Sequence, residues 1–168
     1  MKAWHFLPEN KKLRYADNRI VVPNETYRCP NDRPIELCRN GMHGSVNIMD
    51  ALSYAPGPIV CRVNITGGLK IGDDKIAGRE RNVLWMYDAT PVLRKFACLC
   101  ALDVVHLWDA PGVVIKYLKT QDPTFRAAAK YAARAAAKYA ARYAAEDAER
   151  EKQSKRLYQM IMRGRKSK

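Results

Sequence analysis

The sequence has no run of 18 or more apolar residues, so it lacks the length of apolar chain that a membrane-spanning helix needs. Its first residues, MKAWHFLPENKK, contain no long apolar segment before a cleavage site, and a secretory signal peptide is not expected. Cysteine is sparse, with five residues and no CxxC pair, and the three histidines are too scattered for a metal site. These absences favour a reduced, cytosolic protein with mostly buried thiols and no cofactor.

Negative charge is scarce in the last quarter of the chain. Residues 125–168 hold 13 Lys and Arg against 4 Asp and Glu, whereas residues 1–124 hold 17 against 13. Most of the net charge of +13 therefore lies in the tail. Such an asymmetry predicts a polyanionic partner, and solubility alone is the alternative interpretation.

The first 87 residues have the pattern of short strands joined by turns. The clearest strand is 59–65, which is rich in β-branched residues, and a short helix is predicted at 47–54. The segment RNGMHGS, with two glycines, is predicted to be a loop. Weaker strands are predicted at 3–7, 13–15, 19–22, 27–29, 35–38 and 82–86.

The pattern changes to helix at Thr90-Pro91, where an N-cap residue precedes proline. Apolar residues then recur at spacings of three and four, which predicts a helix that covers the sheet. The expected fold is α+β: a small, mostly antiparallel sheet covered by a helix and followed by a long Ala-rich C-terminal helix. We expect an α+β domain at 1–120, the long basic helix at 121–163 and a frayed basic tail at 164–168.

The tail contains an eight-residue unit, AAAKYAAR, written twice without change at 127–134 and 135–142. On a helix, residues four apart advance by about 40°, so the basic side chains sweep about 160° over roughly 24 Å. Like charges at this spacing repel by about 0.2–0.5 kcal/mol per pair, so a helix built for stability alone would mix its signs. These residues, called the basic row below, are Arg126, Lys130, Arg134, Lys138 and Arg142.

The basic row predicts contact with an anion outside the helix. Nucleic acid is the first candidate, because duplex DNA carries a charge about every 1.7 Å. An acidic protein surface is the second, and a solvated helix without a partner is the third. A further basic cluster follows at Arg163, Arg165 and Lys166. The uncharged face, with Tyr139 and Tyr143, is expected to serve helix packing, including a homodimer.

Four segments carry a resemblance to a known family: IELCRNGMHGS, DALSYAPGPIVCRV, GDDKIAGRERNVLW and HLWDAP, in this order. Together, over about residues 2–118, they resemble a small domain common in phages and prophages, whose members carry a variable Ala/Arg-rich tail. The resemblance brings no catalytic residues. It implies a phage-encoded protein in the bacterial cytoplasm. Accessory phage proteins of this size often counter host defence, including CRISPR systems, so a non-catalytic anti-defence factor that engages nucleic acid or a nucleoprotein complex is expected.

The segment 41–87 supports an alternative function in binding a nucleotide. The GMHGS loop, a short helix and the PIVCRV strand are arranged as the frame of a small-molecule pocket. His43, Arg79 and Arg81 are the candidate ligand contacts, because a guanidinium suits phosphate.

The same segment is loosely similar to the core of ADP-ribosyltransferases. That resemblance assigns His5 as the first NAD-binding residue, Tyr54 or His43 as the second, and Glu80 as the activating carboxylate. The match has two departures, since no glycine follows His5 and arginines flank Glu80. Strand alternation is expected to direct Glu80 away from those arginines.

Overall fold

The computed structural model describes residues 1–15, 17–107, 109–125 and 147–166. The chain divides into two compact units, Met1–Thr90 and Pro91–Lys168. The first contains antiparallel strands, and the second contains helices that include one near the C-terminus. The predicted α+β class is confirmed. The predicted domain boundary near residue 120 stays a prediction.

The described residues of the first unit include seven strands and one helix. Four strands make an antiparallel sheet in the order β1-β4-β7-β2, and three make a smaller one in the order β3-β6-β5. Their bounds are β1 Lys2–Leu7, β2 Thr26–Arg28, β3 Met42–Gly44, β4 Ile59–Thr66, β5 Lys70–Ile71, β6 Ile76–Gly78 and β7 Glu80–Asp88. The helix α1, Ile48–Ser53, begins at Asn47, whose side chain accepts a hydrogen bond from the Met49 amide at 2.8 Å.

One face of the larger sheet carries the core. In β4, the β-branched run predicted from sequence places Cys61, Val63 and Ile65 on this face, each nearly fully buried. Strand β7 contains one extra residue, since Arg62 pairs with Trp85 whereas Val63 pairs with Val83. Because of this bulge, the alternation of side chains shifts by one residue, and Met86 packs against the core.

Two polar residues lie on that same apolar face. His5 alternates with Ala3 and Leu7 along β1, and Arg81 alternates with Val83 along β7. The neighbouring core residues are apolar, and burial of a polar or charged side chain among them is unfavourable. Packing alone therefore does not explain a histidine and an arginine at these positions.

The structure corrects several of the predicted elements. The RNGMHGS segment was expected to be a loop, but its centre is strand β3, which pairs with β6. The strands predicted at 13–15, 19–22 and 35–38 are wrong, because only isolated bridges, Lys12 to Ile20 and Glu36 to Asn40, occur there. Turns and bends occupy part of these segments, and Tyr15 and Cys38 have positive φ, so no ladder of hydrogen bonds forms among their described residues.

The described residues of the second unit form the α-helices α2 Thr90–Asp103, α3 Gly112–Thr120 and α4 Asp147–Lys166. Arg156 of α4 is paired with Asp103 of α2, with 2.5 Å between Nη1 and Oδ2. Leu157 and Ile161 of α4 are fully buried. Among the described helices, none combines the length and the apolar character needed to cross a bilayer.

Candidate anion-binding site

Two adjoining cavities open in the first unit. One, of about 390 Å³, is lined by Arg81 and is called the Arg81 cavity below. The other, of about 330 Å³, is lined by Tyr54 and is called the Tyr54 cavity. Both volumes fall within the ~300–1,000 Å³ of small-molecule sites. The residues that line both cavities are His5, Phe6, Arg14, Tyr15, Cys38 and His43.

Arg81 is a buried cation in the wall of the Arg81 cavity. Only 3% of the residue is exposed, and its Nη1 donates a hydrogen bond to the His43 carbonyl oxygen at 3.0 Å. Its Nε has no hydrogen-bond partner, and in the described part of the chain no carboxylate forms a salt bridge with it. Burial lowers the pKa of Arg81 to about 10. The guanidinium is therefore charged at neutral pH and incompletely satisfied.

His5 shares the Arg81 cavity and projects from the same face of the sheet. Burial, followed by the positive charge of Arg81, lowers the pKa of His5 well below its usual 6.5. The imidazole is therefore neutral at pH 7. Within the described residues its ring makes no hydrogen bond, so a neutral donor and acceptor face the cavity beside the buried cation.

His43 organises the cavity wall from strand β3. Its Nε2 accepts a hydrogen bond from the Cys38 amide at 3.1 Å, which assigns the proton of the neutral ring to Nδ1. Its main-chain oxygen accepts the bond from Arg81. Burial lowers the pKa of His43 as well. His43 therefore positions both the turn that carries Cys38 and the guanidinium of Arg81.

The charged residues that line the cavities are predominantly cationic. Arg14 and Arg39 line the Arg81 cavity, and Lys75 lines the Tyr54 cavity. The one carboxylate among the described lining residues is Asp17, which is paired with Arg19 at 2.6 Å. An anion that enters the Arg81 cavity therefore meets no unpaired negative charge on its described walls.

Aromatic rings accompany these charges. Tyr15, with 89% of the residue exposed and a φ of 60°, lines both cavities, and the Arg14 guanidinium lies 5.0 Å from its ring centre. Trp4 and Tyr54 line the Tyr54 cavity. The site thus contains cationic and aromatic side chains next to each other.

The structure brings His43 and Arg81 together but places Arg79 elsewhere. Arg79 lines neither cavity, since its guanidinium donates to the Asn31 carbonyl at 2.5 Å and to the Arg33 carbonyl at 2.9 Å. It therefore holds the loop that carries Asn31. Sequence reasoning did not identify four lining residues, Arg14, Tyr15, Cys38 and Lys75, because no local motif marks them.

The residues assigned by the transferase resemblance are only partly assembled. His5, His43 and Tyr54 line the Tyr54 cavity together. Glu80 lines neither cavity, and its side chain lies 3.4 Å from the Thr66 hydroxyl and 3.8 Å from Arg28. The glutamate to which the resemblance assigns this chemistry is therefore absent from the described cavity walls.

The predicted tail contacts divide into two groups. The basic row, Tyr139 and Tyr143 lie outside the described residues. Arg163, Arg165 and Lys166 lie in the last turn of α4, where all three are exposed.

Residues 1–95 match the model of a protein family described as a domain of unknown function, DUF7666. The chain belongs to the DUF7666 family. No curated protein and no solved structure shows a significant match. The DUF7666 match includes every residue that lines the two cavities, so the site lies wholly within the family domain.

We expect the DUF7666 domain to lose stability as the pH falls below about 6.5, the pKa of an ordinary histidine. The folded-state pKa values of His5 and His43 are lowered, so the unfolded chain binds protons that the folded chain does not. The free energy of unfolding should then fall by up to about 1.4 kcal/mol per pH unit for each histidine, until the pH reaches its folded-state pKa.

Urea unfolding at several pH values between 4.5 and 7.5 checks this dependence. His5→Gln should flatten the curve above about pH 5.5, where ordinary carboxyl groups are almost fully ionised. His106→Gln is the matched control, because His106 is an exposed histidine of the second unit. A His5→Gln curve as steep as that of the wild type would contradict the assignment to His5.

Proposed function

We propose that the DUF7666 domain of this protein binds a small anionic ligand of the nucleotide class in the Arg81 cavity. The observation that carries the proposal is the buried guanidinium of Arg81, whose Nε has no hydrogen-bond partner and which forms no salt bridge among the described residues. Burial of an ion without a partner costs several kcal/mol, about the same scale as the whole stability of many domains. An anionic ligand would supply the missing partner.

The chemistry of the two cavities supports a nucleotide over a simple anion. A guanidinium donates to phosphate oxygens in a fixed planar geometry, and the neutral His5 ring adds another polar contact. The exposed rings of Tyr15 and Tyr54 supply faces on which a base can stack, and such stacking contributes about 1–3 kcal/mol in single-stranded nucleic-acid sites. In the proposed complex, the phosphate occupies the Arg81 cavity and the base occupies the Tyr54 cavity.

The contacts of Asp17 and the position of Glu80 agree with binding without catalysis. A general base must come within about 3 Å of its substrate. Asp17 is engaged with Arg19 through two side-chain hydrogen bonds, and Glu80 lies outside both cavities. We therefore favour a binding module over the ADP-ribosyltransferase alternative.

Titration calorimetry with ADP, AMP, inorganic phosphate and adenosine tests the proposal. ADP and AMP are expected to bind, and adenosine at least about tenfold more weakly, because hydrogen bonds to charged groups contribute about 1.5–3 kcal/mol. Phosphate should compete with ADP. Equal affinity for AMP and adenosine, or no binding of either nucleotide, would overturn the proposal.

We also propose that the basic row engages nucleic acid or a host nucleoprotein complex. The segregation of positive charge into residues 125–168 supports this second function. The resemblance to phage proteins makes a defence complex of the bacterial cytoplasm, such as a CRISPR complex, the proposed target. A pull-down from host lysate with and without nuclease separates nucleic acid from an acidic protein surface.

Replacement of Lys130, Lys138 and Arg134 by Gln is expected to weaken nucleic-acid binding. The slope of log affinity against log salt should decrease by up to about three, near 0.9 for each lost phosphate contact on duplex DNA. Filter binding over a range of salt concentrations measures the slope, and circular dichroism verifies that helix content is kept.

A control variant carries the same change of charge in the first unit: Lys2, Lys12 and Lys70, all exposed, replaced by Gln. Its slope should equal that of the wild type. An equal decrease in both variants would mean that net charge, and not the basic row, determines binding.

A further inference from the structure

Cys38 differs from the other cysteines in its exposure. Cys29, Cys61 and Cys98 are buried, and Cys100 is half-buried. Burial raises the pKa of Cys61 to about 12 and also raises the pKa values of Cys98 and Cys100. A protonated, buried thiol is a poor nucleophile. Cys38 is the cysteine with an exposed side chain.

A lysine ammonium contacts the Cys38 sulfur. Lys75 Nζ donates to Sγ at 3.3 Å, lies 3.8 Å from an oxygen of Asp74, and sits 4.0 Å from the ring centre of Tyr54. Hydrogen bonding to Tyr54, and secondarily to Cys38, raises the pKa of Lys75, so the ammonium stays charged. A cation beside a thiol stabilises the thiolate, which is the form that attacks a disulfide.

The backbone holds Cys38 at the junction of the two cavities. Two main-chain hydrogen bonds between Glu36 and Asn40, of 2.9 and 3.0 Å, close the turn. Cys38 has a φ of 64° within it, and its amide donates to His43 Nε2. Cys38 thereby lines the same cavity as Arg81, the buried residue whose Nε has no hydrogen-bond partner. An exposed thiol in contact with an ammonium and an independent sign of an anionic ligand thus share one cavity.

We propose that Cys38 is a modification site for an anionic disulfide of the class of oxidised glutathione, and that the mixed disulfide blocks the anion site. The Cys38 thiol gives its proton to solvent, and the Sγ thiolate attacks one sulfur of the disulfide. A new Sγ–S bond forms as the old S–S bond breaks, and the second half leaves as a thiolate with the electron pair. Cys38 is oxidised and the departing half is reduced. Arg14, Arg39 and Arg81 attract the carboxylates of the reagent.

The test incubates the reduced full-length protein with oxidised glutathione and maps the adduct by peptide mass spectrometry. The first adduct should form on Cys38, at least about tenfold faster than on the other cysteines, because thiolate character and access determine the rate. Cys38→Ser should give no adduct on the same time scale. First modification of another cysteine, or no modification at all, would overturn the proposal.

A matched pair of lysine variants tests the role of the ammonium. Lys75→Gln should slow the reaction of Cys38 by about threefold or more, since the thiolate loses its charged neighbour. Lys70→Gln removes an exposed lysine of β5 and should leave the rate unchanged. Equal rates in the wild type and Lys75→Gln would contradict the assignment to Lys75.

A second comparison tests the attraction of anions. The wild type should react faster with oxidised glutathione than with neutral hydroxyethyl disulfide, and Arg14→Gln should reduce this preference. An unchanged preference would show that the cationic lining does not guide the reagent.

The blocking of the anion site rests on the proposed nucleotide function, but the modification does not. The purified mixed disulfide is expected to bind ADP at least about tenfold more weakly than the reduced protein, as steric exclusion from a shared cavity requires. Undiminished ADP binding by the adduct would overturn the blocking role alone. Failure of the reduced protein to bind ADP would count against the nucleotide proposal. The map of the adduct by mass spectrometry would then test the modification of Cys38 by itself.

Discussion

Arg81→Met is expected to abolish nucleotide binding while leaving the protein at least as stable as the wild type. The substitution removes the buried charge that we propose as the ligand contact and replaces it with a flexible apolar chain. Loss of binding should exceed about tenfold, since a hydrogen bond to a charged group contributes about 1.5–3 kcal/mol. Calorimetry measures the first effect and urea unfolding the second.

The stability part of this prediction depends on which of two opposing free energies is larger. The variant loses the bond from Nη1 to the His43 carbonyl, which leaves a buried acceptor unpaired at a cost of about 1–3 kcal/mol. It also removes an ion whose burial without a counter-ion costs several kcal/mol. Because the core neighbours of Arg81 on β7 and β4 include Val83 and Ile65, the methionine side chain enters an apolar environment. The gain should therefore equal or exceed the loss.

Arg79→Met is the matched control, because Arg79 stands two residues away and has partners. Its guanidinium donates to the carbonyl oxygens of Asn31 and Arg33. Its removal should lower the free energy of unfolding by about 1–2 kcal/mol and preserve nucleotide binding. If Arg81→Met were instead the destabilised variant and still bound ADP, Arg81 would be a structural residue and the anion site would lie elsewhere.

The contrast between these arginines also shows where sequence reasoning reaches its limit. Residues two apart share a face only within one continuous strand. Arg79 lies between the end of β6 at Gly78 and the start of β7 at Glu80, so alternation does not relate it to Arg81. Both could be named as phosphate ligands from their type, but only the long-range pairing of β4 with β7 places Arg81 in the cavity.

The elements predicted correctly have strong local signals. The β-branched run of β4, the Asn47 cap of α1 and the Thr90-Pro91 start of α2 can each be identified within a few residues. Strand β3 could not be identified in this way. The glycines at 41 and 44 favour a loop, and the extended form of the strand depends on its pairing with β6. The cavity residues Arg14, Cys38 and Lys75 come from separate connections, and only the folded chain brings them together.

Gly78→Ala is expected to cause a large loss of stability. A Cβ at this position of β6 would lie 2.5 Å from the Thr66 carbonyl oxygen and 2.7 Å from Cγ2 of Ile65. Contacts this short require displacement of the β4 backbone or of a fully buried side chain. Insertion of a methyl group into such packing costs about 1–3 kcal/mol, and we expect the upper end because one obstacle is main chain. Urea unfolding measures the change.

The effect of Gly78→Ala should extend to the ligand site. Met42 pairs with Gly78 and His43 with Ala77, so a displacement of β6 moves β3. His43 then no longer holds Arg81 and the Cys38 turn in place, and ADP affinity should fall together with stability.

Gly112→Ala is the control, because no atom lies within 4 Å of its added Cβ at the start of α3, and alanine should stabilise that helix by about 0.5–1 kcal/mol. Wild-type stability in Gly78→Ala would refute the close approach of β6 to β4, and wild-type affinity in a destabilised Gly78→Ala would separate the ligand site from β3.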